Sequence, residues 1–317
     1  MKRRPLIVIN TIQNFFRFNR PRVALVSCDE WKNRVVDDVL LQNAFIAAGF
    51  RTKIISWQNP RINYTKFQYI IITSMWGYQN HLPEFEKWLA KVEQSGAKIV
   101  NPLDVIKTNY DKLAQLQILD RHQIPHIKTA IVPQNSSTLE HDLSQLSRKF
   151  GRQGFVIKPS ISGSGQNTFL ISDDVTRKNT KNLTQIMPKL TRINQTRALL
   201  AQPFIAAVDQ GETSVIFIDG QPSHAVLRFP QIFNRASGLR TLDLKNLTPD
   251  LLALCDRIKN LPEFKNALYL RIDVIKNGDE WQVMEVELFE PQLFFYLIAD
   301  KTAQKKALRR FVNGAVR

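Results

Sequence analysis

Arg271, Asp273, Glu285 and Glu287 are the residues of this chain whose types and spacing best suit chemistry, and they fall on two short apolar runs separated by a turn. In an extended strand, side chains two residues apart share a face. Arg271 and Asp273 therefore point one way together, and so do Glu285 and Glu287. The intervening Lys276-Asn277-Gly278-Asp279-Glu280 contains Asn-Gly, a strong hairpin signal. The hairpin gathers three carboxylates beside a fixed positive charge. Carboxylates packed this closely repel one another unless a cation joins them. Hard oxygen ligands of this kind suit Mg²⁺, which is commonly held by one or two carboxylates plus substrate phosphates. A surface hairpin of solvated charges would use the same residue types; the apolar neighbours Val283, Met284, Val286, Leu288 and Phe289 weigh against it.

A second group of residues suits phosphate. Phe155-Val156-Ile157-Lys158-Pro159 reads as a strand that delivers a lysine at its end, followed by Ser160-Ile161-Ser162-Gly163-Ser164-Gly165. Glycines let backbone N–H groups approach a ligand closely, and successive N–H groups make an anion-binding nest. Lys112, in Asn109-Tyr110-Asp111-Lys112, opens a helix. The apolar run Leu199 to Ile205 is broken by Gln202-Pro203; proline removes a ladder donor, which suits a hinge with backbone groups free to face a purine edge. His224 lies beside Ala225 and Val226, as expected of a packed core histidine. Cys28, at the end of an apolar strand, reads as an inert small residue rather than a nucleophile.

Alternating strands and helices must position these groups. Strands are expected at Arg22–Cys28, Arg51–Trp57, Phe67–Ser74 and Ala97–Val100. Helices are expected at 37–50 and 82–96, the first with Val39, Leu40, Asn43, Ala44, Ile46 and Ala47 on its apolar face, the second with Phe85, Trp88, Leu89 and Val92. This order implies a parallel sheet whose ligands collect at the strand ends, near Ser27 to Glu30, Trp57 to Asn59 and Ser74 to Trp76. Residues 104–123 read as one helix, 127–173 as β-rich, and 174–197 as a polar helix with exposed loops. Strands resume from Ala198, and a basic amphipathic helix runs from Asp300 to Phe311.

The chain has 317 residues, 44% of them hydrophobic, and a net charge of +16. That length supports two or three domains. No apolar run is long enough to span a membrane. Two distant cysteines imply no disulfide framework and fit a reducing cytoplasm. The charge is uneven: residues 201–300 hold 9 basic and 14 acidic residues, so the acidic hairpin sits in the one acidic stretch. Basic proteins can bind nucleic acid. With no recognised nucleic-acid module, an anionic small substrate and a solvated basic surface explain the charge as well.

Two lysines, a Gly/Ser loop, a hinge, then Arg-x-Asp and Glu-x-Glu, in that order, resemble the ATP-grasp proteins. The resemblance runs over about residues 21–300 and is strongest to the subgroup of cycloserine-forming, RimK-like and glutathione-synthetase-like ligases. Trp31, Asp37-Asp38, Ser74 with Trp76 and Tyr78, Asn101-Pro102, Gln202-Pro203-Phe204, Gly211-Glu212 and Glu285-Val286-Glu287-Leu288-Phe289-Glu290-Pro291 carry it. It implies a mixed α/β and α+β fold, in which a Rossmann-like parallel-sheet domain precedes the ATP-grasp fold. The implied division is a basic arm at 1–20, that first domain at 21–107, a lid or central subdomain at 108–203, and a C-terminal subdomain at 204–317.

The resemblance further implies ATP and Mg²⁺ as cofactors, with Mn²⁺ a possible substitute. Lys112 and Lys158 would hold the phosphates with the loop Ser162, Gly163, Ser164 and Gly165. Gln202, Phe204 and Ile205 would read adenine, and Glu212 the ribose. Asp273, Glu285 and Glu287 would bind metal. Arg271 would steady the transferring phosphoryl group, and Arg228 the γ-phosphate or the acyl phosphate. The implied reaction joins a small, amino-acid-like carboxylate to an amine through an acyl phosphate, in the cytoplasm, with no membrane or nucleic-acid partner and a homodimer as a possible assembly. A phosphotransferase on the same scaffold and a non-catalytic nucleotide-binding module stay open as alternatives. Two positions depart from the family pattern. Glu287 stands where asparagine is common. Thr73 stands where the cycloserine type has arginine, which implies a different acceptor.

Overall fold

The computed structural model describes residues 20–150, 153–163, 165–172, 180–229 and 238–317. Apart from Arg20, the basic arm expected at 1–20 lies outside the described residues. The first unit comprises β1 (Arg22–Ser27), α1 (Val36–Ala47), β2 (Arg51–Ser56), β3 (Tyr69–Ile72), α2 (Leu82–Glu93) and β4 (Lys98–Val100). Its strands form a parallel sheet in the order β2-β1-β3-β4. Both faces are covered, so β1 is an unbroken apolar run with Val23 to Val26 fully buried.

Helices α3 (Leu103–Asn109) and α4 (Lys112–Arg121) lead to a second sheet. The elements there are β5 (Ala130–Val132), α5 (Leu139–Phe150), β6 (Phe155–Pro159), β7 (Phe169–Ile171), β8 (Thr180–Lys181), α6 (Leu183–Asn194) and β9 (Leu199–Pro203), with strand order β5-β9-β6-β7-β8. A third, antiparallel sheet is built from β10 (Glu212–Ile218), β11 (Gln221–Phe229), β12 (Gly238–Leu242), β13 (Tyr269–Asn277) and β14 (Glu280–Glu287), in the order β12-β11-β10-β13-β14. Helix α7 (Pro249–Lys259) lies between β12 and β13, and α8 (Lys301–Val316) ends the chain. No helix among the described residues is long and apolar enough to cross a membrane.

The third sheet is buried on both faces. Ile216, Ile218 and Val226 join Val23, Leu25, Phe45 and Phe311 in a core shared with the first sheet. Val215, Phe217, Ile272 and Val274 pack on Leu251, Leu254 and Ile258 of α7. The second sheet has a core of its own, from Leu143, Phe155, Ile157, Leu190 and Leu199. The first and third sheets thus make one packed body, and the second is a separately cored layer beside it.

Several local expectations are corrected. The helix expected at 104–123 is two, because Asp111 caps a new start by accepting from Leu113 N at 2.9 Å. The β-rich stretch contains α5, whose Leu139, Leu143, Leu146 and Phe150 recur at helical spacing and pack in the second core. In α1 the buried face is Asp37, Asp38, Leu41 and Phe45, while Val39 and Ile46 are exposed. Polar partners make this inversion tolerable: Asp38 accepts from Ser74 Oγ at 2.5 Å and Asp37 from Tyr296 N at 3.2 Å. At the β13–β14 tip the pairing closes at Asn277 and Glu280, so Gly278 and Asp279 form the turn, with Gly278 at φ 64°.

Candidate active site

The β13–β14 pairing sets Arg271 opposite Glu287 and Asp273 opposite Glu285. Between Asp273 and Val274 the register shifts, with Val274 paired to Val283, which leaves Met284 as the extra residue of a β-bulge. Strict alternation would put Val283 on the face of Glu285. The bulge instead sends Val283 into the core with Ile272, Val274 and Val286, and leaves Met284, Glu285 and Glu287 lining a cleft.

Strand β14 is an edge strand, and side-chain amides take the place of a further strand. Asn109 donates to Val286 O at 2.7 Å and accepts from Leu288 N at 2.7 Å. Gln115 donates to the same carbonyl at 2.6 Å and accepts from Val286 N at 2.8 Å. These pairs satisfy the open edge and hold the carboxylate-bearing strand in place.

Asp273, Glu285 and Glu287 each meet a cation. Arg271, 4% exposed, donates to Asp273 at 2.8 and 2.9 Å and pairs with Glu287. Arg228 donates to Asp273 Oδ2 at 2.6 Å, to Glu212 at 2.9 Å and to Ser214 Oγ at 2.7 Å. Lys112, placed by the Asp111 cap, lies 2.6 Å from Glu285 and donates to Ser162 O at 2.8 Å. Burial opposes the charges on Asp273 and Glu285. Arg228 and Arg271 outweigh it for Asp273, and Lys112 and Lys158 for Glu285, so both stay below their usual values. For Glu287 burial wins over Arg271, is reinforced by Glu285 and Asp273, and pushes the group up to about 7. Burial also lowers Lys158, and it raises Glu212 in spite of Arg228.

Asp273, Glu285 and Glu287 each offer an oxygen, and these oxygens lie within 4.8 Å of one another. Closely spaced, hard carboxylate donors are a set that fits Mg²⁺.

The cleft has a volume of about 1020 Å³ and is lined by residues of the second and third sheets and by Trp31, Trp76 and Tyr78 from the connections of the first unit. It brings together Lys112, Lys158, Ser162, Gly163, Gly165, Gln202, Phe204, Ile205, Glu212, Arg228, Arg271, Asp273, Glu285 and Glu287. Ser164 lies outside the described residues. The hinge offers fewer free groups than the proline break suggests, because β9 continues to Pro203. Beyond it, Phe204 N donates to Gly154 O at 3.1 Å and Phe204 O accepts from Gln153 at 3.1 Å. Only glycine fits at 154, where φ is 75° and a Cβ would sit 2.4 Å from Ile171 O. The Gly/Ser loop is clamped to the first unit by Arg197, which donates to Ile161 O at 2.7 Å and to Gln79 O at 3.0 Å.

The other singled-out residues lie elsewhere. His224 bonds Leu293 O at 2.6 Å, and burial lowers it to about 4. Cys28 is buried, and burial raises its thiol. Thr73 donates to Val26 O at 3.1 Å and does not line the cleft. Sequence reasoning missed the apolar wall of Ile127, Val156, Val208 and Met284, and assigned no role to Glu290. Glu290 was visible as the next acid after Glu287. The apolar wall carries no local signal, since it depends on which faces the sheets turn to one another. A part of the basic charge lies apart: Lys305, Lys306, Arg309, Arg310 and Arg317 line a second cavity at α8.

Comparisons with known proteins fall on this same framework. A family model described as prokaryotic glutathione synthetase, ATP-grasp domain, matches residues 121–296. One described as the N-terminal domain of D-cycloserine synthetase DcsG matches residues 23–101. The cycloserine biosynthesis protein DcsG of Streptomyces lavendulae is 21% identical over 264 residues, covering 80% of this chain and 86% of that protein. The crystal structure of D-cycloserine synthetase DcsG superposes with a TM-score of 0.78 at 20% identity, covering 93% of this chain and 99% of that one. The D-alanine–D-alanine ligase of Bacillus anthracis, solved with ATP, gives a TM-score of 0.64 at 16% identity, covering 94% and 98%. At these identities the structural matches speak for the fold.

Proposed function

The chain belongs to the prokaryotic glutathione synthetase ATP-grasp family, and from that premise we propose that it is an ATP- and Mg²⁺-dependent ligase joining a carboxylate to an amine. The observation that carries this reading is the three-carboxylate cluster flanked by Lys112, Lys158, Arg228 and Arg271 in one cleft. On this reading Asp273, Glu285 and Glu287 hold the metal, which when bound offsets phosphate charge. Lys112 and Lys158 face the phosphates, and the Gly/Ser loop covers them. The apolar wall of Ile127, Val156, Val208 and Met284 receives the adenine. An ATP-bound relative of the same fold supports the nucleotide assignment.

The reaction proceeds in two displacements. A substrate carboxylate oxygen attacks the γ-phosphorus and the bond to ADP breaks. The amine nitrogen then attacks the acyl carbon, and phosphate leaves with the electrons of the C–O bond. Arg271 and Arg228, rigidly held by Asp273, are poised to stabilise charge on the transferring group. The loop, clamped by Arg197, excludes the water that would hydrolyse the acyl phosphate.

The test is ATP turnover with Mg²⁺ and a panel of amino and carboxylic acids, with hydroxylamine present to capture an acyl phosphate as a hydroxamate. A hydroxamate that needs both ATP and one acid, and disappears in Asp273→Asn, is the expected result. ADP formed without hydroxamate, from a panel extended to alcohols, would replace the ligase with a phosphotransferase.

A further inference from the structure

Glu290 is the acid of the cleft that the nucleotide half leaves unused. Five carboxylates and four cationic side chains line the cleft. Asp273, Glu285, Glu287 and Glu212 each pair with an arginine or lysine. The Glu290 side chain has no hydrogen bond or ion pair among the described residues. It also stands outside the group of three whose oxygens approach within 4.8 Å.

Its position is nevertheless firmly built. Trp76 Nε1 donates to Glu290 O at 3.2 Å, and Tyr269 OH to Phe289 O at 3.4 Å. The Phe289 ring packs edge-on against Tyr78 at 4.9 Å and tilts against Phe85 at 5.3 Å. Burial and the nearby Glu287 raise the Glu290 carboxyl well above its usual value. Both effects disfavour the charged form, and an arriving cation would restore it. Aromatic surface adjoins it. The Trp76 indole meets Trp31 edge-on at 5.6 Å, and Trp31, 38% exposed, stands in the cleft lining. A carboxylate and indoles lining one cleft are chemistry that recognises an ammonium group.

We propose that Glu290, with the Trp31–Trp76 pair, docks the protonated amine of the acceptor substrate beside the acyl group formed at Arg271. The acceptor is therefore a cationic primary amine, not an alcohol or a neutral amide. The inference rests on the ligase reading. The nitrogen attacks only after losing a proton, so the site gathers the amine in its abundant charged form and the attack draws on the neutral fraction.

The experiment compares capture of the acyl phosphate by hydroxylamine, uncharged at neutral pH, with capture by methylamine, glycinamide and alaninamide, which are cationic. In Glu290→Gln the ratio of amide to hydroxamate falls by about tenfold or more, the scale of one charged hydrogen bond, through a raised KM for the amine. Glu290→Asp recovers part of it. An unchanged ratio, an equal loss of both products, or a wild type that forms hydroxamate but no amide with any of these amines would overturn the assignment. A wild type that forms no hydroxamate instead removes the ligase reading itself, and this inference with it.

Discussion

Lys112 Nζ lies 2.6 Å from Glu285 Oε1 and 2.8 Å from Ser162 O, so one ammonium joins the first residue of α4, the carboxylate strand and the Gly/Ser loop. Its environment holds it charged: burial opposes the charge, but Glu285, with help from Glu287 and Glu290, outweighs it and raises the lysine above its usual value. Lys112→Met would leave Glu285 without its cation and the loop without an anchor. A fall in kcat/KM for ATP of about 100-fold or more is expected, the scale of a lost preorganised charge. Steady-state kinetics check it; a loss under threefold would mean that the lysine is only structural.

Asp273→Asn and Glu285→Gln remove one negative charge each from the proposed metal site while keeping shape. Activity should fall by about 10²-fold or more, with the circular dichroism spectrum preserved. Titration of Mg²⁺ at fixed ATP should show a weakened metal dependence. Normal turnover in either variant would sink the metal assignment.

Arg271 and Arg228 both hold Asp273, but at different depth, with side chains 4% and 25% exposed. Arg271→Leu strips a buried partner from both Asp273 and Glu287 and should cost about 3 kcal/mol. Arg228→Gln leaves Asp273 paired with Arg271 and should cost about 1 kcal/mol. Urea denaturation of the two proteins would decide, and equal midpoints would show that the difference in burial does not matter.

Asp37 and Asp38 are 4% and 2% exposed. Burial pushes Asp37 up to about 7 and Asp38 up to about 6, against hydrogen bonds from Tyr296 N and Ser74. An aspartate in the unfolded chain titrates near ~3.9. The folded chain therefore binds these protons more tightly. Their contribution to stability is fully present below about pH 4 and is lost as pH rises through the folded values. Between pH 5 and pH 8, the unfolding free energy of the wild type should fall relative to Asp37→Asn, with a slope of at most about 1.4 kcal/mol per pH unit. A difference independent of pH would mean that Asp37 ionises as it does in water.

Arg197 ties the Gly/Ser loop to the first unit through Ile161 O and Gln79 O. Arg197→Met should loosen that cover and let water reach the acyl phosphate. The ratio of ADP to hydroxamate should rise about threefold or more, while ATP consumption falls less. A ratio equal to the wild type's would show that the clamp does not guard the intermediate.

Local periodicity carried much of this molecule. The apolar run of β1, the single face of Phe85, Trp88, Leu89 and Val92, and the shared faces of Arg271 with Asp273 and Glu285 with Glu287 all follow from spacing within one segment. The helical spacing of Leu139, Leu143, Leu146 and Phe150 was present too, although the stretch reads as β-rich at first sight. Tertiary structure decided the rest. No pattern within α1 shows that Asp37 and Asp38 turn inward, because their partners Tyr296 and Ser74 come from other elements. The bulge at Met284 exists because Val283 must reach the core behind the sheet while Glu285 faces the cleft. Which cation meets which acid, Lys112 with Glu285 or Arg228 with Asp273, depends on how separately formed sheets pack. Side-chain spacing along a strand is set by the backbone next to it, whereas contact between distant segments is set by the shape of the packed cores.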